Sequence, residues 1–119
     1  MKYMLLIHQG TTPTPRDQDA WARLSEDEQN AVFAAYKAIN ETPGVTPGQQ
    51  LADPETATTV RVEDGKALTT DGPFVELKEA IGGYLIFEAD DLDAAIELAS
   101  RVPAAGMGGA VEVRPIVEW

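Results

Sequence analysis

"GGYLIFEADDLDAAIELASRVP", Gly82 to Pro103, is the stretch on which the fold turns. Its first half, through Ala89, is a run of β-formers too short and too β-rich for a buried helix. Tyr84 and Ile86 point to one side of such a strand and Leu85 and Phe87 to the other, so both faces are apolar. The second half is a helix. Asp90 or Asp91 caps it, and acidic residues suit its positive end. Leu92, Ala95, Ile96, Ala99 and Val102 recur at helical spacing, and Pro103 stops the run. A two-faced strand feeding a one-faced helix predicts a sheet with helices packed on one side.

The rest of the chain repeats this alternation. "KYMLLIH", Lys2 to His8, is a strand with Tyr3, Leu5 and Ile7 on one face and Met4, Leu6 and His8 on the other. "GTTPTPRDQD" is a loop. Asp17 or Asp19 caps a short helical piece carrying Trp21 and Leu24, and Ser25 with Glu28 forms a capping box that opens a longer helix. Its buried stripe is Leu24, Val32, Ala35, Tyr36 and Ile39. "NETPGVTPGQQ" ends it with two Pro-Gly breaks. "ATTVRVEDGKALTT" is a hairpin turning at Asp64-Gly65, where glycine takes positive φ freely. "AVEVRPIVEW" is the last strand, with Val111, Val113, Val117 and Trp119 opposite Glu112, Arg114, Ile116 and Glu118.

The order β, α, β-hairpin, β, α, β predicts a ferredoxin-like α+β sheet with two helices on one face, joined by right-handed crossovers. Two helices cover one face only. The apolar second face then needs another occupant, and the economical one is a second copy of the sheet, giving a homodimer.

Composition narrows the functions. The 119 residues suit a single domain. With no cysteine and one histidine, disulfides, thiolate catalysis and a Cys- or His-rich metal site within one chain are excluded. A formal charge of −11 repels nucleic-acid backbones and anionic membrane surfaces, so neither is an expected partner. No apolar run reaches the roughly 18 residues of a membrane span, and Tyr3–Ile7 is too short for a signal-peptide core. The expectation is a cytoplasmic protein. Gly82-Gly83 alone does not make a phosphate loop, and nothing implies a cofactor or a metal.

"DGPFVELKE", Asp71 to Glu79, followed by "GGY", resembles the DGPF branch of the YCII-related family. "KYMLLI", "VRVEDGK", "LDAAIELA" and the closing "VEVRPI" resemble it as well, so the likeness runs over residues 1–119. The resemblance implies a ferredoxin-like fold pairing as a dimeric α/β barrel. It also implies small-molecule chemistry, since some relatives act on chlorinated aromatic breakdown products, and an association of DGPF proteins with sigma-factor genes. The His-Asp pair proposed for smaller YCII proteins has no matching histidine here.

Two readings of the site residues stand side by side. In the first the protein is a cofactor-free enzyme that moves a proton on, isomerises or eliminates from a small aromatic-derived organic anion. Asp71 or His8 is its acid or base, Arg114 steadies the developing negative charge, and Glu76, Lys78 and Glu112 line the site. In the second it is a non-catalytic binding or regulatory dimer linked to sigma-factor signalling. Asp71-Gly72-Pro73-Phe74 is then a rigid turn anchored by Phe74, and Arg114 simply pairs with Glu112 or Asp71. Parity places Arg114 on the face opposite Val111 and Val113, where a guanidinium needs a carboxylate partner.

Overall fold

The computed structural model describes residues 1–71 and 81–119. Its main sheet has four antiparallel strands. These are β1 (Lys2–His8), β2 (Val45–Thr46), β5 (Ile81–Glu88) and β6 (Ala110–Pro115), in the order β2-β5-β1-β6. β1 lies between β5 and β6, with Leu5 opposite both Leu85 and Val113. The order and the connections, helix between β1 and β2 and helix between β5 and β6, are consistent with a ferredoxin-like α+β fold. A second, two-stranded sheet is the hairpin β3 (Thr58–Glu63) with β4 (Lys66–Asp71).

Among the described residues, four α-helices accompany the sheets: α1 (Gln18–Ala22), α2 (Glu26–Asn40), α3 (Leu92–Ser100) and α4 (Pro103–Gly106). Their starts are chemical. The Asp17 side chain accepts from the Ala20 N–H at 3.2 Å. The capping box closes both ways: the Glu28 N–H donates to Ser25 Oγ at 3.1 Å, and the Ser25 N–H donates to Glu28 Oε1 at 3.0 Å. Asp91 accepts from the Ala94 N–H at 2.9 Å, so Asp91 rather than Asp90 caps α3. Pro103 ends α3 by opening α4, where a missing N–H is harmless.

The core lies between the sheet and α2, α3 and α4. Tyr3, Leu5, Ile7, Leu85 and Phe87 come from the strands, and Ile39, Ala95, Leu98, Ala99, Val102 and Ala104 from the helices and their ends. Ala89 completes it.

Four expectations need correction. Leu92 and Ile96 are about half exposed, whereas Leu98 is buried. Ala95, Ala99 and Val102 of the expected stripe are buried; the sets 92-95-96-99-102 and 95-98-99-102 are both helical, and the direction from which α3 meets the sheet selects the second. Val117 and Trp119 lie beyond the end of β6 and are exposed. The Ile116 N–H still donates to the Lys2 carbonyl at 2.8 Å, after which strand pairing stops.

The loop "NETPGVTPGQQ" carries a sheet strand. Val45 and Thr46 pair with Phe87 and Ile86, and the neighbouring backbone continues along β5 through Gln49, Gln50 and Leu51. Gly48 permits this approach, since a Cβ there would fall 1.8 Å from the Tyr84 carbonyl oxygen. The hairpin, conversely, stays outside the main sheet. Its turn is as expected, with φ of +52° at Asp64 and +74° at Gly65.

Candidate functional site

The sheet has a helix-covered face and a second face. Tyr3, Leu5, Ile7, Leu85 and Phe87 are buried on the first, and Val111 and Val113 pack against them from β6. Met4, Leu6, Tyr84 and Ile86 occupy the second and are only half-buried. His8, Glu112 and Arg114 share that second face, because the register sets Leu6 opposite Glu112 and Met4 opposite Arg114.

These three side chains form one chain of polar contacts. Arg114 Nε donates to one carboxylate oxygen of Glu112. His8 Nε2 lies 3.5 Å from the other. The guanidinium hydrogen bond, helped by its charge and by His8, holds the Glu112 carboxyl below the usual carboxylate range. His8 is the most shielded of the three, with 17% of its side chain exposed, whereas Arg114 is 68% exposed in the single chain. An anionic carboxylate gripping an imidazole and a guanidinium can orient the ring for proton transfer while the cation stays available to a second anion.

Asp71 does not join this cluster. It ends β4, opposite Thr58, on the separate hairpin and is exposed. The carboxylate partner of Arg114 is Glu112. Glu76, Lys78 and the Gly72-Pro73-Phe74 turn lie outside the described residues. Among the described residues, no group of three or more acidic, histidine or cysteine side chains is placed to hold a metal ion. No helix of the described residues is long and apolar enough to cross a membrane.

Sequence reasoning missed a second feature. On the helix-covered side, a cavity of about 320 Å³ opens between the Gln9–Pro15 loop, α1, α2 and β5. Trp21, Phe33 and Tyr36 line it, as do Gln9 and Thr12. Tyr36 had been assigned to the buried stripe of α2. The available signal was the aromatic spacing on α1 and α2, but the same spacing also describes an ordinary core.

A small α+β domain with antiparallel sheets, one helix-covered face and an ionic cluster on the other is the class these features define. The chain belongs to the YCII-related family, whose domain model matches residues 1–119. It is also 29% identical over 119 residues to an uncharacterized protein, R00369, of Rhizobium meliloti (strain 1021), an alignment covering 98% of this chain and 92% of that protein.

Proposed function

We propose that the protein works as a homodimer whose sheets meet through their second faces, as in a dimeric α/β barrel. At that closed face, His8, Glu112 and Arg114 bind a small organic anion and move a proton on it. The observation that carries this reading is the Glu112 carboxylate held between an imidazole and a guanidinium on an otherwise apolar, half-covered face. The shape of the chain supports the pairing. Its shortest dimension is 18 Å, room for one sheet and one helix layer. Its radius of gyration of 16.2 Å exceeds the roughly 13.5 Å of a compact chain this long.

In this reading Arg114 takes the substrate carboxylate or the enolate that develops from it. His8 accepts a proton from the carbon beside that group and returns it to the same or a neighbouring carbon. Glu112 fixes the ring and stabilises its protonated form, and no cofactor is required. Asp71 and the charged residues after it are further candidates for contact with substrate. They belong to the DGPF motif, which places the chain in that branch of the family on this reading.

A second reading is favoured by the mutual pairing of all three groups, which satisfies the charges without a ligand. The protein is then a non-catalytic binding or regulatory dimer. Light scattering at micromolar concentration, thermal shift with small carboxylates and phenols, and deuterium uptake into the stabilising compound from heavy water separate these possibilities. The expected mass is twice the 12.8 kDa of one chain. A ligand at a hundredfold its Kd adds about 2.7 kcal/mol, roughly ten degrees for a chain of this size. Arg114→Met abolishes that shift, while His8→Gln keeps it and loses deuterium uptake. A monomeric mass overturns the dimer. A shift by a carboxylate that persists in Arg114→Met overturns the site, and binding without exchange leaves the non-catalytic reading.

A further inference from the structure

The cavity beneath α1 and α2 lies on the opposite side of the sheet from the ionic cluster, and its lining has a different character. Among the described residues, no aspartate, glutamate, lysine, arginine or histidine reaches it. An ion entering it would lose its hydration without a counter-charge. The walls are flat and apolar. Trp21 and Phe33 stand edge to face with ring centroids 5.4 Å apart, and Tyr36, Val32, Ile7 and Leu85 complete the surround. Such walls select a planar ring.

Helix α2 does not close onto the sheet along its length. Ile39 alone on that helix is buried, Val32 and Tyr36 are half-buried, and Phe33 is 55% exposed. Apolar atoms facing a void lack the contacts that a filled core provides, so an occupant of the right shape gains them. The volume falls at the small end of the range for ligand pockets.

Uncharged polar side chains line the cavity too, those of Gln9, Thr12, Thr14, Asn40, Gln49 and Gln50. Thr12 Oγ1 is buried and has no hydrogen-bond partner. A hydroxyl both donates and accepts, and a buried one without a partner is unusual. Burial pushes the Tyr36 phenol above its usual range, a shift that a hydrogen bond with the Gln9 side chain partly offsets. Thr12 Oγ1 is therefore the buried polar atom on the cavity wall that an occupant can satisfy.

We propose that this cavity is a second binding site, for a neutral planar aromatic molecule carrying one hydrogen-bonding substituent, which Thr12 Oγ1 engages while the ring lies among Trp21, Phe33 and Tyr36. It is independent of the ionic cluster.

The probe is 2-naphthol, titrated into the full chain by calorimetry and by following the indole N–H resonances, with 2-methylnaphthalene and 2-naphthoate as comparisons. Trp21 lines the cavity and Trp119 is exposed, so a Trp119→Phe variant assigns the two resonances. The expected result is a saturable shift of the Trp21 indole signal. Losing one neutral hydrogen bond weakens binding about fivefold, so 2-naphthol binds Thr12→Val, and 2-methylnaphthalene the unaltered protein, about fivefold more weakly. The naphthoate binds at least tenfold more weakly, and Arg114→Met binds 2-naphthol unchanged. An unmoved Trp21 signal at millimolar 2-naphthol overturns the site. Naphthoate shifting the Trp21 signal at a lower concentration than naphthol overturns the ligand class. Equal affinities for naphthol and 2-methylnaphthalene on the unaltered protein overturn the role of Thr12, whether or not Thr12→Val folds.

Discussion

Glu112 is the residue through which the sheet's second face responds to pH. Its carboxyl is held below the ordinary value of 4.5, chiefly by the Arg114 hydrogen bond. A depressed pKa in the folded state stabilises the fold above the unfolded carboxyl pKa, and the contribution disappears as pH falls through the folded value. Acidification below about pH 4.5 should therefore lower the melting midpoint. Glu112→Gln should show a shallower decline over that window in a pH series of thermal melts; an unchanged slope would mean that other carboxyls dominate. Strand parity sets Arg114 on this face, and its carboxylate neighbour is Glu112. That much was legible because strand parity needs no tertiary information. How far the guanidinium is covered was not, since cover depends on what packs above the sheet.

At the scale of elements, helix starts were legible to within two residues, and that of α2 to the residue. Ser25 and Glu28 satisfy two N–H groups that the first turn of α2 would otherwise leave open. Ser25→Ala should cost about 1 kcal/mol of stability in denaturant unfolding, and a null result would show that the start of α2 frays in the native protein. The edge strand was not legible. Val45-Thr46 is two residues long and sits between Pro-Gly breaks, so no periodicity marks it. It exists because the backbone beyond α2 is led against β5, with Gly48 under the Tyr84 carbonyl. Gly48→Ala should destabilise by at least ~1–3 kcal/mol, the usual penalty of overpacking, because the obstructing atom is backbone and cannot rotate away. A melting midpoint within a degree of the parent would show that residues 46–50 can lift from the sheet without loss.

For the whole molecule, the decisive quantity is the area left uncovered on the sheet. On the homodimer reading, Leu6→Glu adds a charge to the second face of each copy. The variant should run as a monomer in light scattering while keeping its far-ultraviolet circular dichroism. A variant that remains dimeric moves the interface elsewhere, for which the exposed Val60 and Val62 of the hairpin are the next surface to change. The sequence by itself determined the helix caps, the Asp64-Gly65 turn, the strand parities and hence which side chains share a face. Each of these is set by neighbours within a few residues. Only the tertiary structure decided which of two equivalent stripes of α3 is buried and that the hairpin stands outside the main sheet. It alone also showed that α2 leaves a cavity beneath Trp21 and Tyr36. Those outcomes depend on the direction and distance at which remote elements meet, and local spacing carries no record of either.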